Sequence, residues 1–209
     1  MKNSCARGKR GERQWRDELR AHGYAAHRGR QYSGSPDSPD VVCEGLPHFH
    51  FEVKLVERLN LFDAMAQARR DAGGKVPLVA HRRNFWPWLV TMDAVACYRL
   101  LRQDCSGAWA ATQAETSTPL VALREVAWVY CLDLTGTELT LHEAVAQAGR
   151  AVAKPAAGAA VATKALALVA HRDRFGRWLL TMASETFFQL LRGDPAKAPT
   201  PRNGAAATF

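Results

Sequence analysis

The chain has 209 residues, with 28 Lys and Arg against 20 Asp and Glu, which gives a formal net charge of +8. No apolar stretch of about 18 residues occurs and the start of the chain is polar and basic, so we expect no membrane span, no signal peptide and a cytoplasmic location. The apolar content of 47% allows one large domain or two small ones. The five cysteines include no Cys-x-x-Cys pair, which argues for reduced thiols and against a zinc site.

Basic side chains are concentrated in the first half of the chain. Residues 1–104 contain 18 Lys and Arg and 12 Asp and Glu, a net charge of +6, which leaves 10 against 8, a net charge of +2, for residues 105–209. A basic leading segment is suited to phosphate contacts, so we expect a polyanionic partner. The alternative is that these charges form an ordinary solvated helix face.

The first predicted element is a short amphipathic helix over residues 9–21, with Trp15 and Leu19 on its apolar face. We expect residues 1–9 to form a flexible basic arm in front of it. A first strand is predicted over residues 24–30.

Two further strands carry acidic side chains. Asp40 precedes an apolar run at residues 41–43, and after a turn a second run carries Glu52 and Lys54. Because side chains alternate along a strand, Glu52 and Lys54 share one face with His50, and the aromatic residues take the other face. Neighbouring strands would bring the two carboxylates together, and their repulsion favours a divalent cation such as Mg²⁺ or Mn²⁺. The alternative is an exposed Glu–Lys pair on a solvated face.

These motifs resemble those of a known nuclease superfamily. The dipeptide PD ending at Asp40, followed by EVK at residues 52–54, resembles the PD-(D/E)xK nuclease signature. Together with GKRGER at residues 8–13 and YSG at residues 32–34, it makes residues 1–104 similar to archaeal-type and phage-encoded Holliday-junction resolvases.

The resemblance implies an α/β fold with a restriction-endonuclease-like core, in which helices flank a small mixed β-sheet. The predicted order of elements, α-β-β-β-α-β-β-α, agrees with that core. It also implies a metal-dependent endodeoxyribonuclease that hydrolyses phosphodiester bonds, in branched DNA and in DNA recombination. The host cell would be bacterial, with the chain encoded by a virus or prophage, and a gene of the host itself is the alternative.

The resemblance further implies roles for individual residues. Asp40 and Glu52 would bind Mg²⁺ or Mn²⁺, and Glu12 on the first helix would complete the metal site. Lys54 would activate or orient the attacking water, and Gln67 on the following helix would be accessory. Two of these residues have ordinary alternatives: acidic residues such as Glu12 favour the first turn of a helix, and Gln67 can be a polar surface residue.

Contacts to DNA are predicted for basic residues and for serines of a Gly/Ser/Pro loop. Related resolvases place a catalytic or DNA-positioning serine in such a loop, although a plain turn is the alternative. The predicted DNA-binding residues are Lys9, Arg10, Arg13, Arg30, Ser33, Ser35, Arg69 and Arg70.

The second half of the chain repeats part of the first. VAHRR at residues 79–83 recurs 90 positions later as VAHRD, and WLVTM at residues 88–92 recurs at the same offset as WLLTM. An earlier segment, AMAQA at residues 64–68, recurs 80 positions later as AVAQA. At the offset of 80, Glu52 and Lys54 become leucines, so we interpret the second half as a degenerate copy without catalytic residues. His81 and His171 survive in both copies, which favours a structural role over metal binding.

This repeat leads to a predicted domain organisation. We expect a nuclease domain at 1–104, a linker at 105–124, the degenerate repeat at 125–194 and a disordered tail at 195–209. The repeat could take the place of a dimer partner within one chain. Alternatively, it is a side-by-side extra domain, or the protein forms a homodimer through its first halves.

Two other functions stay open at the level of the sequence. The chain could be a catalytically inactive DNA-binding accessory protein with a nuclease fold. It could also be a nuclease that acts on linear DNA, because the geometry of a DNA substrate is recognised by shape, which one sequence does not display.

Overall fold

The computed structural model describes residues 2–29, 39–101, 129–133, 139–153, 166–172 and 176–192. Within these ranges no helix has the length and apolar character needed to span a bilayer. In chain order the elements are α1 (Lys2–Ala21), β1 (Ala26–Arg28), β2 (Val41–Cys43), β3 (Phe49–Leu55), α2 (Leu61–Asp71), β4 (Val76–Arg82), β5 (Leu89–Asp93), α3 (Ala94–Leu101), β6 (Val129–Asp133), α4 (Leu141–Ala153), β7 (Leu166–Arg172), β8 (Trp178–Ala183) and α5 (Ser184–Arg192).

The described strands form one mixed sheet of eight strands in the order β1-β2-β3-β4-β5-β8-β7-β6. β3 pairs with β4 in parallel, as β6 does with β7, and the other described neighbours are antiparallel. Helices cover both faces of this sheet. The predicted fold class, an α/β fold with a mixed sheet flanked by helices, is therefore confirmed.

Strand alternation assigns the helices to the two faces. One core contains Trp15 of α1, Phe51 of β3 and Phe188 of α5, all fully buried. On β4, Leu78 belongs to that core, whereas its neighbour Val79 packs with α2 on the opposite face. α4 lies on the α2 face and α3 on the α1 face. The even-numbered residues of β3, which include Glu52, therefore point to the α2 face.

The helix α1 begins at Lys2, so the prediction of a flexible arm over residues 1–9 and a helix start at residue 9 is wrong. Residues 2–10 contain no proline, and packing offsets the cost of about 1 kcal/mol for a glycine inside a helix. At Gly11 a Cβ atom would lie 2.9 Å from the Cβ of Leu55, so the missing side chain allows close approach to β3. Glu12 consequently lies in the middle of the helix, not in its first turn.

The second half of the sheet has the same pairing pattern as β3, β4 and β5. In β3–β4 Glu52 pairs with Val79, and in β6–β7 Leu132 pairs with Val169, at the offsets of 80 and 90 seen in the sequence. β5 and β8 then join the halves antiparallel, with Thr91 opposite Thr181. This topology relates the halves by an approximate two-fold axis through the centre of the sheet.

Packing across that axis is reciprocal. Leu179 of β8 packs in the cluster formed by α2, and Leu89 of β5 packs in the cluster formed by α4. The predicted linker 105–124 and tail 195–209 lie outside the described residues, so the division into domains stays a prediction.

Candidate active site

Asp40 and Glu52 lie on neighbouring antiparallel strands. Val41 of β2 pairs with Phe51 of β3, and one step further along this register Asp40 is opposite Glu52. The Oδ2 atom of Asp40 accepts a hydrogen bond of 2.9 Å from the backbone N–H of Val53. The main chain of β3 thus holds the first carboxylate beside the second.

Lys54 connects Glu52 to α2. Its Nζ atom lies 2.6 Å from Oε1 of Glu52 and donates a hydrogen bond of 3.1 Å to Oε1 of Gln67. The side chain of Glu52 is only 6% exposed, while that of Lys54 is 28% exposed. The ammonium group is therefore held between a buried carboxylate and an amide, with part of its surface open to solvent.

The electrostatics of this group are those of crowded carboxylates. Burial, and then the negative charge of Glu52, raise the pKa of Asp40 to about 7, against the opposing hydrogen bond from Val53. Burial also raises the pKa of Glu52, while the hydrogen bond and the charge of Lys54 oppose that shift. Glu12 adds to the upward shift of both pKa values. A positive charge is therefore favoured at this position.

Glu12 is buried on α1, and its Oε2 accepts a hydrogen bond of 2.7 Å from Nε of Arg28 on β1. Arg28 was not predicted as a site residue. It is 16 positions from Glu12, and no local spacing relates an arginine on a strand to a glutamate on the preceding helix. The contact arises because α1 packs across β1 and β3.

The carboxylates of this group suit some metal ions and not others. Among the described residues, no group of three or more His, Cys, Asp or Glu side chains is arranged to hold a metal ion. Zinc sites need three or four such ligands, but Mg²⁺ is commonly bound by one or two carboxylates together with water and substrate phosphates. The pair of Asp40 and Glu52 fits a hard divalent ion of that kind. Glu12 pairs with Arg28, and its role as a direct ligand stays a prediction.

The predicted DNA-binding residues have different surroundings. Lys9, Arg13 and Arg70 are exposed. Arg10 donates a hydrogen bond of 3.1 Å to Oδ1 of Asn84, and Arg69 forms an ion pair with Asp93. The remaining three residues lie outside the described ranges: Arg30, Ser33 and Ser35. Contact of any of these eight with DNA stays a prediction.

The second half contains no acidic counterpart of Glu52 at the equivalent register position, which Leu132 occupies. Leu134, the counterpart of Lys54 in sequence, lies outside the described residues. The neighbouring Asp133 pairs with Ala170, one step away from the position of Glu52.

The fold and this group of side chains define an α/β protein with two carboxylates and a lysine on one face of a mixed sheet. No protein-family model and no curated protein sequence matches the chain. Among solved structures, the chain is similar to Archaeoglobus fulgidus Hjc, a Holliday junction resolvase from an archaeal hyperthermophile. The identity is 30%, the match covers 39% of this chain and 73% of the archaeal chain, and the TM-score is 0.33.

Proposed function

We propose that this protein is a divalent-metal-dependent endonuclease that hydrolyses phosphodiester bonds in DNA, with branched DNA as its substrate. The observation that carries the proposal is the group formed by the buried Glu52 and the partly buried Asp40 and Lys54. Two carboxylates with raised pKa values and a lysine on one sheet face form a poor structural element but a suitable site for hydrolysis of a phosphodiester. The basic excess of the first half supplies charges for phosphate contacts.

Each residue has a distinct part in the proposed reaction. When bound, Mg²⁺ or Mn²⁺ would supply positive charge at the scissile phosphate and lower the pKa of water. Asp40 and Glu52 would hold the ion, and Asp40 would release its proton as the ion binds. Lys54, oriented by Glu52 and Gln67, would orient the attacking water or stabilise negative charge that develops on the phosphate. Glu12, held by Arg28, would support the site from α1.

The second half supports a single-chain arrangement. β8 pairs with β5 along its edge, so a second chain cannot pair with β5 at that position. Leu132 occupies the register position that Glu52 occupies in the first half, so one acidic group of this kind is present among the described residues. The second half therefore acts as a built-in partner, and one chain makes one incision for each DNA molecule that it binds.

The test is cleavage of a labelled four-way junction and of a matched linear duplex, with Mg²⁺ or EDTA, by the wild type and by Asp40→Asn. Metal-dependent cutting of the junction alone, lost in the variant, is the expected result. Equal cutting of both DNAs would leave a nuclease without branch specificity. Tight binding of both DNAs without cutting would support the inactive accessory protein instead.

A further inference from the structure

A cavity of about 540 Å³ lies where the two halves meet on the α2 face. The first half contributes the segment 56–62, between β3 and the first turn of α2, and the end of β4 at residues 81–83. The second half contributes residues 140–142 at the start of α4, and His171 of β7. The volume is in the range of pockets that bind small molecules.

Two polar atoms of lining residues are buried without a hydrogen-bond partner among the described residues. They are Nε of Arg83 and Nε2 of His142. His142 is only 6% exposed, and Nε of Arg83 lies 3.8 Å from a carboxylate oxygen of Glu57. Buried polar groups are normally paired, so two such side chains in one cavity indicate a ligand that pairs with them.

The charge of the wall favours an anion. Among the described residues that line the cavity, Arg58 and Arg83 contribute positive side chains and Glu57 is the one acidic residue. α2 and α4 also begin at this wall, and the N-terminus of a helix carries a positive partial charge. A phosphate group would therefore be attracted to the cavity and would accept hydrogen bonds from the arginines.

The rest of the lining is apolar and aromatic. Phe62 is 37% exposed, and its ring centroid lies 6.2 Å from that of His171. Leu59, Leu61 and Leu141 complete this side. An exposed aromatic ring beside aliphatic side chains is suited to a flat ring system such as a nucleobase.

We propose that this cavity binds a nucleotide, with Arg83 and His142 on its phosphate and Phe62 on its base. The nucleotide could be free in solution or part of a DNA strand. In the parallel register of β3 and β4, Lys54 pairs with His81, so the cavity begins directly beside the acidic group. A strand cut at the acidic group could thus place a neighbouring nucleotide here, but the binding itself does not depend on cleavage.

Two variants and a matched control test the site. Arg83→Gln removes the charge, and His142→Phe removes the ring nitrogens while introducing the residue that the repeat has at the equivalent position, Phe62. Arg172→Gln is the control: Arg172 packs over Trp178 as Arg83 packs over Trp86, but it does not line the cavity. Thermal unfolding of all four full-length proteins would check that each is folded.

Binding would be measured in EDTA, by calorimetry with thymidine monophosphate, thymidine and inorganic phosphate, and by fluorescence with a short labelled single-stranded oligonucleotide. We expect binding to weaken at least about tenfold in Arg83→Gln and His142→Phe and to stay unchanged in Arg172→Gln. If this pattern appears with the monophosphate, the ligand is a free nucleotide. If it appears with the oligonucleotide alone, the ligand is a nucleotide of a DNA strand.

Three outcomes would overturn the nucleotide site. The first is that neither thymidine monophosphate nor the oligonucleotide binds. The second is equal binding in all four proteins. The third is binding of inorganic phosphate as tight as that of the monophosphate. Because EDTA prevents cleavage, the result is separate from the nuclease proposal. A chain that binds the nucleotide but never cuts DNA would refute the proposed function and leave this site standing.

Discussion

Thr91 and Thr181, which are 90 positions apart in the repeat, face each other at the centre of the sheet with their Oγ1 atoms 2.7 Å apart. Each hydroxyl also lies 3.0 Å from Nε2 of a buried histidine, His81 for Thr91 and His171 for Thr181. Burial lowers the pKa of His81 to about 3 and that of His171 to about 4, so both rings are neutral at neutral pH. This symmetric network agrees with the structural role predicted for both histidines.

Replacing Thr91 by valine should destabilise the protein by about 1–3 kcal/mol, because it leaves His81 and Thr181 each short of a buried hydrogen-bond partner. Urea unfolding monitored by tryptophan fluorescence would measure the change. Thr186→Val on the partly exposed side of α5 is the control and should change stability by less than about 0.5 kcal/mol. Equal effects of the two substitutions would contradict the network.

Substituting alanine for glycine should have opposite effects at two positions of α1. At Gly11 a Cβ atom would meet the Cβ of Leu55 at 2.9 Å, so Gly11→Ala should cost about 1–3 kcal/mol. At Gly8 the nearest atom is Oε1 of Glu12 at 4.0 Å, so Gly8→Ala should stabilise the helix by up to about 1 kcal/mol. Chemical denaturation would measure both, and a stabilising Gly11→Ala would show that α1 does not pack closely on β3.

The pairing of β5 with β8 predicts that the chain is a monomer. Light scattering at micromolar concentration should give a mass near 23.0 kDa. With one acidic group of this kind among the described residues, the protein should convert a supercoiled plasmid that carries an extruded four-way junction to nicked circles before any linear product appears. A stable species of twice the mass would contradict the single-chain arrangement, even if the nuclease proposal held.

The raised pKa of Asp40 predicts how stability depends on pH in the absence of metal. The pKa is about 7 in the folded protein against a usual value of 3.8, so between these values the folded state binds more protons than the unfolded state. Stability should therefore fall as the pH rises through this window. Asp40→Asn should remove much of this slope and stabilise the metal-free protein by about 1–3 kcal/mol near pH 8, as measured by thermal or chemical denaturation.

The same pKa predicts the pH dependence of metal binding. The ion needs the ionised form of Asp40, so below pH 7 the affinity for Mn²⁺ should fall by up to about tenfold for each pH unit and should level off above it. Calorimetric titration between about pH 5.5 and 8.5 would measure the change. Glu44→Gln, at an exposed position of the turn before β3, is the control and should leave the profile unchanged.

The prediction of Glu12 as a site residue illustrates what sequence reasoning reached and missed. The resemblance to the nuclease motif identified Glu12, and the structure shows it buried near the carboxylates of Asp40 and Glu52. Its position within α1 was placed wrongly, because the sequence predicted a helix start at residue 9 and the helix begins at Lys2. Arg28 was missed because its contact with Glu12 joins residues 16 positions apart in sequence.

The amino-acid sequence by itself determined the division of β3 into two faces. Alternation is a local property of a strand, so Glu52 and Lys54 had to share a face away from Phe51 and Val53. The repeat also appeared in the sequence, because its offsets are readable without coordinates. Only the tertiary structure decided that β5 pairs with β8, which polar atoms meet in the cavity, and which partners hold the carboxylates. These depend on contacts between distant segments, which no local pattern of residues encodes.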